Sequence, residues 1–157
     1  MTIRRARPDE AAPLTTLAHA AKRYWGYPER WIQRWKEELT FTPAFIRRSE
    51  VFVAAEGDDI VGVYALDGSG EKQSVEHFWV HPEAMGDGIG RALFEHAVHR
   101  AGTLGATYLE IEADPNAVGF YERMGARRVG QRVYRLEGKP RVLPVLTIDI
   151  GPTAPVI

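Results

Sequence analysis

The residues best suited to chemistry in this chain run from Met85 to Arg91, as Met-Gly-Asp-Gly-Ile-Gly-Arg, after the strand-like Phe78, Trp79 and Val80 and the pair His81-Pro82. Alternate glycines between a strand and a helix let main-chain N–H groups turn inward with no side chain in the way. The helix N-terminus adds partial positive charge. Together these features cradle a phosphate. No Lys-Ser/Thr pair follows the glycines, so the loop is not a P-loop, and the dinucleotide-binding spacing with its ribose-binding acid is missing too. Alone, such a loop also suits any tight strand-to-helix turn.

One helix and one strand later comes a second segment, Asn116-Ala117-Val118-Gly119-Phe120-Tyr121-Glu122-Arg123-Met124-Gly125-Ala126. With the glycine loop, it resembles the GCN5-related N-acetyltransferase (GNAT) superfamily, most strongly over residues 74–126 and elsewhere in element order. The resemblance implies that Met85, Gly86, Asp87, Gly88, Ile89, Gly90 and Arg91 hold the pyrophosphate of acetyl-coenzyme A. It further implies that the main chain of Phe78, Trp79 and Val80 meets the pantetheine arm and the thioester oxygen, while Asn116 and Tyr121 line the thiol end. The implied reaction is acetyl transfer from acetyl-CoA to an amine by direct attack on the thioester. The same loop would serve a transferase using another acyl-CoA, or a CoA-binding sensor or interaction module without turnover.

Acetyl transfer needs a deprotonated amine, a polarised carbonyl oxygen and a proton for the leaving thiolate. Tyr121 stands where the family often places a phenol near the sulfur, and is the candidate acid. The alternative is that Phe120 and Tyr121 are aromatic packing, a role expected of Phe120 in particular. Asn116 is expected near the pantetheine or an ordered water, although a helix N-cap would explain it equally well. On the strand 72–80, alternation puts Ser74, Glu76, Phe78 and Val80 on one face and Val75, His77 and Trp79 on the other. Many family members carry a Glu two residues before Glu76, where this chain has Ser74. Glu76 is the candidate base, directly or through water, and its alternative is to bind the amine or pair with an Arg.

Tyr108, Glu110 and Glu112 share one face of the next strand. If the Glu76 and Glu112 faces converge, the pocket is acidic and attracts a cationic amine; a solvated face with Arg partners is the competing reading. Met85 replaces the Arg or Gln usual in the family, leaving backbone amides and Arg91 for the pyrophosphate, and Asp87 is expected to point outward. The resemblance makes the first two helices the wall of the acceptor pocket, with Trp25, Tyr27 and Trp31 as aromatic candidates. Trp31 and Trp35, four apart, can instead dock the second helix on the core. The pairs His77/His81 and His96/His99 have metal-compatible spacing but no evident third ligand, so no metal is expected.

These groups belong to a chain of 157 residues, room for one domain with a real core, with residues 1–151 as the transferase-like domain and 152–157 as a C-terminal tail. Twenty Lys and Arg against 21 Asp and Glu leave a net charge of −1, so no whole-protein field favours nucleic acid or an anionic membrane. The absence of cysteine excludes disulfides and thiolate sites. No run reaches the ~18 apolar residues of a membrane span, and a cytoplasmic location is expected. The expected partner is a small-molecule amine or an exposed amino group, with a homodimer left open. Periodicity predicts strands at 2–6, 51–55, 60–66, 72–80, 108–113, 127–136 and 142–150. Helices are predicted from Pro8, over 29–39, 88–104 and 116–124. The fold expected is α/β: a mixed, mostly antiparallel twisted sheet of seven strands flanked by four helices.

Overall fold

The structure, a computed structural model, describes residues 1–151, so the expected tail 152–157 lies outside the described residues. The elements are β1 (Thr2–Arg5), α1 (Ala11–Arg23), α2 (Glu29–Arg34), α3 (Pro43–Arg48), β2 (Glu50–Glu56), β3 (Asp59–Ser69), β4 (Lys72–Val80), α4 (Ile89–Thr103), β5 (Tyr108–Glu112), α5 (Val118–Arg123), β6 (Arg127–Leu136) and β7 (Lys139–Asp149). The seven strands form one sheet in the order β1-β2-β3-β4-β5-β7-β6. Strands β4 and β5 run parallel, from Lys72 opposite Tyr108 to Ser74 opposite Glu110. Pairs β1/β2, β2/β3, β5/β7 and β6/β7 are antiparallel.

The sheet is the one the sequence predicts, but there are five helices rather than four. The extra one, α3, falls between the predicted second helix and the predicted strand 51–55, where the sequence reading assigns no element. Thr42 caps it, its hydroxyl accepting from Phe45 N–H at 3.1 Å, and Pro43 occupies the first turn. Both are helix-start signals, and the cap contributes about 1 kcal/mol. Helix α2 ends at Arg34 rather than at Leu39, and Trp35 to Leu39 are a run of turns.

Compactness divides the chain into two units. The first comprises Met1–Leu66 and Glu76–His96. Its core joins Leu14, Leu17 and Ala18 of α1 with Ile32, Ile46, Val51, Val53, Val63 and Ala65, and Trp79 packs against it. Each fully buried Leu, Ile or Val contributes roughly 1.5–3 kcal/mol. Alternation along β4 is as expected. His77 and Trp79 face the core under α1 to α3, where His77 meets Phe41 at 4.2 Å, whereas Phe78 meets Phe94 of α4 edge-on at 6.0 Å. Gly62 lets α4 close on the sheet, since a Cβ there would lie 3.2 Å from Leu93 and 3.4 Å from the Trp79 carbonyl. On the same side the buried Tyr64 hydroxyl bonds His96 Nδ1 at 2.7 Å, and Phe52 stacks on Tyr64 at 5.4 Å.

Among the described residues the second unit comprises Asp67–Val75 and 97–151. Leu109, Ile111 and Leu146 are buried there, and Leu109 and Ile111 pair with Ile148 and Leu146. Strands β6 and β7 form a hairpin longer than predicted, because the polar segment 137–141 contains only a two-residue turn. Glu137 (φ 53°) and Gly138 (φ 76°) both take the left-handed conformation such a turn demands, with Leu136 paired to Lys139. Strand β6 lies at the sheet edge, and Arg127 to Arg135 are exposed on both faces.

Candidate functional site

The glycine loop starts where β4 ends. His81 N–H bonds the Val61 carbonyl at 2.8 Å, holding the end of β4 to β3. A single 3-10 turn, Pro82–Ala84, is capped by His81, whose Nδ1 accepts from Glu83 N–H at 3.1 Å. Gly86 (φ 87°) and Gly88 (φ 79°) then adopt left-handed conformations, with open space where a Cβ would stand. Glycine is needed here for backbone shape, not to avoid a neighbouring protein atom. Ala92 N–H bonds the Gly88 carbonyl at 3.1 Å, so the amides of Ile89, Gly90 and Arg91 precede the first such bond of the fifteen-residue α4. Those amides are the helix's outward-pointing donors, and they coincide with its positive dipole end. The Ile89 side chain is buried in the core, so only its main chain is available. Asp87 is exposed, and Arg91 is exposed with its guanidinium 3.7 Å from Glu95. Met85 is half-buried. The backbone donors, dipole and side-chain-free approach suit the pyrophosphate of a coenzyme A.

Upstream on β4, Phe78, Trp79 and Val80 are half-buried and Glu76 is exposed. Trp79 donates its indole N–H to His77 Nδ1 at 2.9 Å. Burial pushes the His77 imidazole down to about 4, so it is neutral at physiological pH. Its Nδ1 is then the acceptor and Nε2 carries the proton.

The aromatic residues around α2 split into two groups. Tyr27, Trp31 and Trp35 cluster, with centroids 5.9 Å (Tyr27–Trp31), 5.2 Å (Tyr27–Trp35) and 6.0 Å (Trp31–Trp35) apart. Trp25 lies instead edge-on to Tyr24 at 5.1 Å, and both are exposed. Of Trp31 and Trp35, Trp35 packs against the core, beside the fully buried Ile32.

In the second unit, Tyr121 of α5 is 6% exposed, and Phe120 is the less enclosed of the pair. Packing therefore falls on Tyr121 itself. Burial, reinforced by the Asp114 carboxylate, raises its phenol well above the usual range and keeps the proton on. Asn116 is not the helix cap. Asp114 caps the 3-10 turn Pro115–Ala117, taking Asn116 N–H at 2.9 Å, and the Asn116 amide itself bonds Asp114 at 3.0 Å. The Asp-Pro pair fixes this turn before α5 begins at Val118. Glu110 and Glu112 share one arginine: Arg132 reaches Glu110 at 2.7 Å and Glu112 at 2.8 Å. Burial pushes Glu110 up, but Arg132 and Lys72 outweigh it and hold the carboxyl below its usual range. Sequence reasoning left this Arg unnamed, because β6 register decides which of four arginines on that strand reaches β5.

Among the described residues no group of three or more His, Cys, Asp or Glu is gathered to hold a metal ion, and no helix is long and apolar enough to cross a membrane.

Known proteins share this framework. A GCN5-related N-acetyltransferase from Rhodopseudomonas palustris superposes with a TM-score of 0.77 at 20% identity over 94% of each chain. The PaiA N-acetyltransferase of Thermoplasma acidophilum, solved in complex with coenzyme A, gives 0.71 at 20% identity over 94% of this chain and 98% of that one. In sequence, the peptidyl-lysine N-acetyltransferase YjaB of Escherichia coli is 34% identical over 98 residues, which is 62% of this chain and 63% of that protein. The chain thus spans less than two thirds of the length of the curated relatives it matches. Residues 26–137 match the acetyltransferase (GNAT) domain, and the chain belongs to that family.

Proposed function

We propose that the protein is an N-acetyltransferase that moves the acetyl group of acetyl-coenzyme A to an amine. The observation that carries this reading is the turn at Gly86 and Gly88, with left-handed φ of 87° and 79°, leading directly into α4. That turn supplies main-chain donors and a helix dipole to a pyrophosphate without a lysine. The bound coenzyme supplies an activated thioester. The chain's own residues do the rest: main-chain N–H groups of Phe78 to Val80 orient the carbonyl and stabilise developing negative charge. Tyr121, kept protonated by burial, gives a proton to the departing thiolate, and Glu76 takes a proton from the attacking amine directly or through water. Asn116 contacts the pantetheine arm.

The acceptor is a small amine or an exposed amino group. The peptidyl-lysine acetyltransferase relatives favour an amino group on an alkyl stem. Of the aromatic candidates Trp25, Tyr27 and Trp31, the clustered Tyr27 and Trp31 favour a cation. Glu112 contributes negative charge only if a cationic acceptor competes with Arg132 for it.

The test is release of free thiol from acetyl-coenzyme A with a panel of amines. Acceptor-dependent release supports the reading. Tight coenzyme binding with no release under any amine would instead make the protein a coenzyme A-binding module.

A further inference from the structure

Strand β6 divides its arginines between two faces. Pairing with β7 sets Arg128, Gln131, Val133 and Arg135 opposite Leu146, Pro144, Val142 and Pro140, and sets Arg127, Arg132 and Tyr134 opposite Thr147, Leu143 and Arg141. Residues whose partners alternate along β7 share a face, so the first set lies on one side of the ribbon and the second on the other. On the second side the charge is neutralised within the chain: Arg127 meets Asp149 at 3.3 Å, and Arg132 meets Glu110 at 2.7 Å and Glu112 at 2.8 Å. On the first side Arg128 and Arg135 bond neutral acceptors, the Gln131 side-chain oxygen at 2.9 Å and the Gly138 carbonyl at 3.1 Å. Neither meets a carboxylate among the described residues. On that same face the cross-strand pair Val133 and Val142 is exposed, at 58% and 38%. The strand also borders the sheet, so alternate main-chain N–H and C=O groups from Gly130 to Leu136 point away from β7.

We propose that β6 is a docking edge for an extended acidic segment of another protein, added as a further strand along Gly130 to Leu136. Main-chain pairing with an open edge supplies affinity for any extended chain, and side chains at alternate positions select among chains. Here the selecting positions are Arg135, Val133 and Gln131 in the regular ladder, with Arg128 beyond the slip in register. They suit a segment with a carboxylate toward each end and a β-branched residue between. A second copy does not supply that pattern. The edges it could offer are β6 itself and β1, which carries Arg4 and Arg5 and no acid. Like charges set opposite one another disfavour pairing. A nucleic acid would meet the arginines but leave the exposed valines and the open main-chain groups unmatched. The inference goes beyond acetyl transfer and does not rest on it, since β6 holds none of the residues assigned to that reaction.

The probe is a fluorescein-labelled peptide, Ser-Asp-Thr-Val-Thr-Thr-Thr-Asp-Ser, whose aspartates and valine share a face when it is extended. Binding to the full-length protein is followed by fluorescence anisotropy. Two further versions are N-methylated, each at one of the two alternate sets of amides, because an added strand turns one set toward the edge and the other away. One version should lose binding and the other keep it. Replacing both aspartates with lysine should abolish binding. Combining Arg128→Gln with Arg135→Gln should weaken binding about 10-fold, as two cross-strand charge pairs are lost, with the far-UV circular dichroism unchanged. Equal binding of the two N-methylated versions, or of the lysine peptide, overturns the proposal. So does tighter binding of a deoxythymidine oligonucleotide than of the peptide, which would make the face a nucleic-acid contact. A dimer in sedimentation that the peptide dissociates would also overturn it, with a second copy as the occupant.

Discussion

The indole N–H of Trp79 and Nδ1 of His77, two residues apart on the same face of β4, are joined by a 2.9 Å hydrogen bond inside the first unit. The bond requires His77 to be an acceptor at Nδ1, and burial against Phe41 and Phe45 makes its charged form costly.

The pH dependence of stability follows from that pair. Burial lowers the His77 value from 6.5 to about 4, so above pH 6.5 both folded and unfolded states are neutral and the contribution is fully present. As pH falls from 6.5 the unfolded chain binds the proton first. Stability is then lost, by about 3 kcal/mol, until the folded state also titrates near 4. Urea midpoints measured from pH 7.5 to 4 should fall less steeply in His77→Phe than in the wild type. Parallel slopes would show that His77 is not the group responsible.

Gly88→Val should cost about 1–3 kcal/mol, because a β-branched residue is strained at φ 79° even with open space around it. Gly88→Asn should recover most of the stability, since Asn tolerates that conformation. Both should weaken coenzyme A binding in calorimetry. Unchanged affinity in a folded Gly88→Val protein would remove the loop from the coenzyme site.

Tyr121→Phe removes a hydroxyl that burial keeps protonated. Turnover should fall ~100 to 10,000-fold, the usual range for general acid catalysis. Coenzyme A affinity should change much less. Near-normal turnover in a folded variant would reassign Tyr121 to packing alone.

Glu76→Gln should depress turnover most at low pH, where the amine is most in need of a base. It should also raise the acceptor KM if the carboxylate binds the amine as well. Amines matched in size but opposite in charge decide the acceptor question. A preference for anionic acceptors would discard the acidic, aromatic pocket while leaving acetyl transfer in place.

Elements with one dominant local signal were legible in the sequence: the glycine turn, the apolar stripe of α4 and the alternation along β4 that separates Phe78 from His77 and Trp79. Elements that depended on chain-distant partners were not. Thr42-Pro43 announces α3, but the preceding Trp35-to-Leu39 stretch looked like continued helix because Trp31, Trp35 and Leu39 keep a four-residue spacing. The relative burial of Phe120 and Tyr121 depends on which face of a six-residue helix meets the sheet, and adjacent aromatics give no local signal for it. The Lys22 ammonium over the Trp35 ring was missed because the two residues are thirteen positions apart, joined only through the reversal at Gly26.

The bare edge of β6 carries its own protection. An edge strand of ten residues exposes a row of unpaired amides and carbonyls, which is a template for adding another strand. The ladder to β7 slips between Arg128 and Gly130, so a bulge at Val129 breaks the regular edge, and Arg127, Arg128, Arg132 and Arg135 set positive charge along it. The same strand that invites association through its backbone repels its own copy through its side chains. The bulge and the arginines together act as gatekeepers against edge-to-edge pairing.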